Sequence, residues 1–329
     1  MAMYVRNLHL TRYLLEIMKV TIVFVIGAWF NKYVGLMSHN TNDKAAFQKP
    51  QALQQPPQST MSIQSKTGRV IILFTGRTGS SILIQLLQSL HNSNMKGEEL
   101  AALHTKMIPD TSNQIFESTA ATRQINFLKR HYNQTCRSTD CLIGMKTKLW
   151  HIAFPLEDFA HILLNQSVGV VHLRRESYLK QAISHMNGRR LLQYYGRPNI
   201  EASTQLGPIS LSGNETMAFL RKKINFYRQE DQRIRNFIFD HSLYSFDLTY
   251  ERLKENPSAQ VAAIQEFVYG QLLNNILQSK SRLLGKVTSD NMCESIADYK
   301  DMCSLFSEQE RLELLGDLSC TKCDRMDYV

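Results

Sequence analysis

Two short stretches of this chain hold residue types that grip phosphate-like anions. The first is Thr75-Gly76-Arg77-Thr78-Gly79-Ser80-Ser81, set between the apolar run Arg69–Phe74 and the apolar stretch Ile82–Leu87. Glycines let a backbone turn its N–H groups toward an anion, and a helix that begins there adds the positive end of its dipole. Arg77 places one fixed cation in the turn. The Walker pattern G-x-x-x-x-G-K-[ST] is not met, because the glycines stand closer together and no lysine follows the second. Phosphoryl transfer from ATP therefore lacks its usual lysine and metal-holding hydroxyl. The plain alternative is a tight glycine turn with a solvated arginine.

The second stretch is His172-Leu173-Arg174-Arg175-Glu176 and its continuation to Ser184. A buried strand ends at an arginine, and a serine follows Arg175 nine residues later, about two and a half helical turns on. Ligands of open α/β sheets bind at the carboxyl ends of the strands. An arginine and a hydroxyl there suit one more phosphate. A surface ion pair of Arg175 with Glu176 is the competing reading. Taken together, two anion sites at neighbouring strand ends point to a nucleotide phosphorylated at two places.

The pair resembles the 5′-phosphosulfate loop and the 3′-phosphate element of sulfotransferases, which use 3′-phosphoadenosine 5′-phosphosulfate (PAPS). Their loop R-S-G-S-[ST] stands here as Arg77-Thr78-Gly79-Ser80-Ser81. The finer match is to the trehalose-sulfotransferase-type branch of carbohydrate sulfotransferases. Its element R-x-x-x-x-x-Q-A-[VI]-S corresponds to Arg175 through Gln181-Ala182-Ile183-Ser184. Gly144 through Trp150 and Asp247-Leu248-Thr249-Tyr250-Glu251 resemble two further strand motifs, and the likeness spans roughly residues 69–270. It implies a P-loop-like sulfotransferase fold: three layers, α/β/α, around a mainly parallel sheet. It implies that Gly76, Arg77, Thr78, Gly79, Ser80, Ser81, Arg175 and Ser184 bind PAPS, with no metal. It also implies a glutamate base about twenty residues past the loop arginine, which lands on Glu98 with Glu99 beside it. A carboxylate there accepts the proton of an incoming sugar hydroxyl. Lys146 or Lys148 would contact the sulfuryl oxygens, and Arg77 the leaving phosphate. His91 and His104 are rival bases, and a solvated helix start is the bland reading of Glu98-Glu99.

Positioning these groups requires buried strands alternating with helices. Apolar runs at Arg69–Phe74, Cys141–Met145 and Ser167–Leu173 read as buried inner strands, and Leu243–Leu248 reads as another strand. Helical spacing covers Ile82–Leu87, Pro155–Asn165, a stretch through His185, Thr216–Phe239 and Pro257–Val268. That order gives a mainly parallel sheet.

The rest of the chain concerns placement in the cell. The chain has 329 residues, 43% of them apolar and 20% charged, which excludes global disorder and allows one large α/β core. Its net charge of +9 favours anionic partners. Residues 1–37 carry Arg6, Arg12, Lys19 and Lys32 against Glu16 alone, so 34 basic and 28 acidic residues remain beyond them. Ile17–Met37 is long enough for a signal anchor, and the preceding cations put the N-terminus in the cytosol. A cleaved signal peptide and a buried helix are the alternatives. Residues 38–68, rich in Gln, Ser and Thr with Pro50, Pro56 and Pro57, read as a flexible stem. The enzyme domain is expected over 69–280, with a cysteine-bearing extension over 281–329 packed on it.

Six cysteines suit an oxidising compartment, and pairing of sequence neighbours (Cys136/Cys141, Cys293/Cys303, Cys320/Cys323) is the simplest of the 15 possibilities. Zinc at Cys320 and Cys323 is a weaker alternative. Three sequons begin at Asn133, Asn165 and Asn214. The expected protein is a Golgi-membrane, single-pass type II carbohydrate sulfotransferase with a lumenal domain and a glycan acceptor. A non-catalytic lumenal glycan-binding protein on the same scaffold and a kinase with an atypical phosphate loop are the other readings. No nucleic-acid recognition module is present.

Overall fold

The computed structural model describes residues 68–90, 92–105, 113–134, 141–195, 207–211, 213–270, 291–321 and 323. The expected anchor, all of the stem but its last residue, and His91 lie outside these residues. Five strands form one all-parallel sheet in the order β2-β3-β1-β4-β5. They are β1 (Arg69–Phe74), β2 (Ser93–Lys96), β3 (Leu142–Thr147), β4 (Gly169–Arg174) and β5 (Ser245–Thr249). The helices are α1 (Ser80–Gln88), α2 (Glu99–Thr105), α3 (Asn113–Tyr132), α4 (Leu156–Asn165), α5 (Tyr178–Tyr195), α6 (Asn214–Asp240), α7 (Tyr250–Glu255) and α8 (Pro257–Tyr269). The fold is α/β.

The central strand explains the layering. Successive side chains of a strand point to opposite faces. Val70, Ile72 and Phe74 enter one core with Leu83 and Leu87 of α1 and Val261 and Ile264 of α8. Ile71 and Leu73 enter the other with Leu128 and Tyr132 of α3, Phe159 and Leu163 of α4, and Ile234 and Phe237 of α6. Both faces are therefore covered, and the strand needs no polar residue. Truncating any of these side chains to Ala costs about 2–5 kcal/mol. The Tyr132 hydroxyl, fully buried, is satisfied by donating to the Val70 carbonyl at 3.1 Å.

A third core joins α5 and α6 to the end of the chain: Leu179, Ile183, Leu220 and Ile224 pack with Met302, Cys303, Phe306 and Leu315. Here the neighbour pairings Cys293/Cys303 and Cys320/Cys323 are corrected, while Cys136 lies outside the described residues. Cys293 bonds Cys323, and Cys303 bonds Cys320. The nested pattern arises because short helical turns at Met292–Ser295 and Tyr299–Ser304 fold the segment back on itself, bringing its two ends together. With their sulfurs in disulfides, these four cysteines offer no thiolates to zinc. Cys141 is disulfide-bonded as well.

Because all strands run the same way, the segments after β1, β3 and β4 open on one edge of the sheet. β1 lies between β3 and β4, with Val70 opposite both Gly144 and Gly169. The chain steps to one side of β1 to make β2 and β3, then crosses to the other for β4 and β5. Crevices of this kind form ligand sites in open α/β sheets.

Candidate active site

The turn after β1 is held in a shape that few residues adopt. Gly76, Arg77 and Gly79 all have positive φ, at 93°, 55° and 77°. Gly79 must lack a side chain for a second reason: a β-carbon there would stand 2.5 Å from Cδ2 of Tyr250. Gly79 also forms the N-terminal cap of α1, whose first turn contains Ser80 and Ser81. Thr78 is fully buried, and its hydroxyl has no hydrogen-bond partner among the described residues. Helix α5 braces the turn from above: the Gln181 amide donates to Thr75 Oγ1 at 2.7 Å and to the Gly76 carbonyl at 2.5 Å.

Arg77 reaches across the turn to α5 and α6. A β-carbon on Gly188 would stand 1.5 Å from Arg77 Nη2, so the glycine makes room for the guanidinium. Burial holds Arg77 below the ordinary arginine value, with Tyr227 opposing that shift. Burial pushes the Tyr227 phenol up to about 12. Tyr227 Oη lies 2.9 Å from His185 Nδ1. His185 is brought down to about 4 by burial and then by Lys223, Arg77, Arg189 and Lys148. It is a neutral imidazole amid cations.

Ser184 falls between the two α5 residues that touch the turn. Positions 181, 184 and 188 form one helical stripe, at spacings of three and four. Arg175 is buried as well. Its Cζ lies 4.9 Å from the Tyr250 ring centroid, and its Nε is 3.6 Å from Glu251. Its carboxylate neighbour is thus Glu251, not the adjacent Glu176. Tyr250 touches both Arg175 and Gly79, so the two stretches singled out in the sequence meet at one ring. Arg174 turns elsewhere, pairing with Asp247 at 3.0 Å.

A carboxylate stands beside the turn. Glu98 ends the segment after β2, and its carbonyl begins α2 by accepting from Ala101 and Ala102. Its side chain lies 3.0 Å from Lys148 Nζ, 3.7 Å from Lys146 Nζ and 3.7 Å from His151 Nδ1. Lys146 also donates to Ser81 Oγ at 2.9 Å, tying Glu98 to the turn through one side chain. Burial lowers the Lys146 pKa, Glu98 raises it and Lys148 lowers it again, for a net decrease. Glu99 is exposed at the start of α2, and the two lysines meet Glu98 rather than Glu99. His104 lies within α2. His151, His185, Tyr227 and Gly188 were not legible as site residues, since nothing in their local sequence marks them. Their common feature is that the fold brings them near Arg77 or Glu98.

The chain belongs to the Stf0 sulphotransferase family, whose profile matches residues 69–300. Among curated proteins none matches it. Among solved structures it is similar to the sulfotransferase domain from the Synechococcus PCC 7002 olefin synthase. That likeness has 15% identity and a TM-score of 0.31, and covers 65% of this chain and 78% of that one. By its family the protein is a sulfotransferase.

Proposed function

We propose that this sulfotransferase moves the sulfuryl group of PAPS to a hydroxyl of a glycan, with Glu98 as general base. The observation that carries the reading is Glu98 beside Lys146, itself bonded to Ser81 of the anion-binding turn. Bound PAPS supplies an activated sulfuryl group on a phosphate leaving group. The residues suit that donor: free N–H groups at the start of α1, the Arg77 cation, the buried Thr78 hydroxyl, and Arg175 against Tyr250 for a second phosphate. Glu98 takes the proton of the acceptor hydroxyl as its oxygen bonds to sulfur. The sulfur–oxygen bond to the 5′-phosphate breaks, and the leaving group is adenosine 3′,5′-bisphosphate. Arg77 and the turn stabilise the charge that grows on that phosphate. Lys146 and Lys148 donate to the sulfuryl oxygens once Glu98 is engaged with the acceptor, a role supported by their ion pairs with Glu98 beside the turn.

The placement we propose is the Golgi lumen, with residues 1–37 as a type II membrane anchor. It is supported by the disulfides and by exposed Asn133, Asn165 and Asn214 at the three sequons. Among the described residues no helix is long and apolar enough to cross a membrane. Incubating the full chain with ³⁵S-labelled PAPS and a glycan panel tests the activity. Glu98→Gln should lower transfer about 10²–10⁴-fold and keep adenosine 3′,5′-bisphosphate binding. Unchanged turnover in that variant would assign the base elsewhere.

A further inference from the structure

Beyond Glu98, rings and cations alternate in a row that leads away from the turn. Lys148 Nζ lies 5.4 Å from the Trp150 ring, and Trp150 lies 5.4 Å from Phe226. Lys223 Nζ stands 5.2 Å from the Phe226 ring and 5.6 Å from that of Phe219, and Arg189 Cζ is 5.5 Å from Phe219. At Phe219 the row enters a shallow cavity of about 530 Å³, largely open to solvent, between the C-terminal half of α5 and the first turns of α6. Arg189, Arg190, Ser210 and Phe219 line it, together with one carboxylate, Glu215.

The row has the chemistry of a charged saccharide. The C–H faces of a sugar ring are apolar and stack on aromatic rings, whereas sulfate or carboxylate groups take charge-assisted bonds from Arg and Lys. The row and cavity hold four cations (Lys148, Lys223, Arg189 and Arg190) and two carboxylates, Glu98 at the inner end and Glu215 at the outer. Neither Lys223 nor Arg189 has a carboxylate partner among the described residues. Phe226 keeps 37% of its surface exposed. A neutral sugar would use the rings and leave the cations without counter-charge.

We infer that this row and cavity form a subsite for further sugars of an extended, anionic glycan, whose reacting hydroxyl sits at Glu98. The inference rests on the reading of Glu98 as the base. Its specificity residues are Lys223 and Arg189. A fluorescence titration tests it without turnover. The protein has two tryptophans, Trp29 and Trp150, so in full-length Trp29→Phe protein Trp150 alone reports.

The probes are a chondroitin hexasaccharide bearing uronates and its unsulfated, carboxyl-reduced counterpart of equal length. The uronate-bearing probe should bind at least tenfold tighter. Arg189→Gln and Lys223→Gln should each weaken it about tenfold while leaving the neutral probe unchanged. Equal binding of the two probes, no response to either, or wild-type affinity in both variants would overturn the subsite. Calorimetric titration with adenosine 3′,5′-bisphosphate runs in parallel on every variant. Retained nucleotide binding beside equal sugar binding overturns the subsite alone. Lost nucleotide binding in the parent protein overturns the donor assignment, and the sugar titration still decides the subsite.

Discussion

Replacing Gly188 by Ala separates catalysis from stability, because its clash falls on the far end of a flexible side chain. The added carbon would stand 1.5 Å from Arg77 Nη2 and 2.3 Å from Cζ, so the guanidinium must leave its place. The backbone of α5 need not move. Alanine in a helix interior is favoured over glycine by about 0.5–1 kcal/mol. For a domain of this size, that raises the melting temperature by roughly 1–4 °C. Losing one positioned donor to a developing oxyanion costs about 10²–10³ in rate, or roughly 2.7–4 kcal/mol. The variant should therefore melt at or slightly above the wild-type temperature by circular dichroism. Its ³⁵S transfer from PAPS should fall at least about 100-fold. Wild-type transfer in Gly188→Ala would refute the assignment of Arg77 to the leaving phosphate. A large fall in melting temperature would refute the claim that only the arginine moves.

Two further outcomes concern stability. His172, buried between Asp231 at 3.0 Å and Asp247 at 3.3 Å, is lowered by burial but raised more by its bonds to both carboxylates, for a net increase. A raised histidine contributes stability in full below its unfolded value of about 6.5 and loses it as pH climbs through the folded value. His185, at about 4, acts oppositely, and stability declines as pH falls from about 6.5 toward 4. Asp247, raised by burial but brought down to about 2 by His172 and Arg174, adds a loss as pH falls from about 4 toward 2. Melting temperature against pH should peak near 6.5, and the alkaline fall should vanish in His172→Gln; an identical profile would contradict this. The Cys303–Cys320 bond closes a loop of sequence separation 17, so Cys303→Ser should lower stability by about 3 kcal/mol in urea unfolding. An unchanged midpoint would show that the tail packs without it.

How far the sequence spoke depends on whether an element's burial shows in its composition. β1, β3 and β4 are buried on both faces and read as unbroken apolar runs. β2, Ser93–Lys96, is a four-residue edge strand with one apolar residue and gives no such signal. The long helix α3 escaped for another reason. Its buried seam runs through Ala120, Gln124, Leu128 and Tyr132, and Gln124 interrupts the apolar spacing. That glutamine is spent on structure, donating to the carbonyls of Leu100 and His151 and accepting from the N–H of Ala153. In the candidate site, motif and spacing mark Arg77, Arg175 and Glu98. Gly188 and Tyr227 are not marked, because their nearness to Arg77 exists only after α5 and α6 dock. The disulfide pattern was hidden likewise, since chain proximity says nothing of how a segment doubles back.

The strand order carries a cost during synthesis. β1 leaves the ribosome first, yet its neighbours in the sheet begin at Leu142 and Gly169. At about 5–20 residues per second, its six-residue stretch waits on the order of 5–20 s for both flanks. Through that interval Val70 through Phe74 form a sticky, unpaired ribbon, so a nascent chain paused before residue 169 should be a preferred client of chaperones.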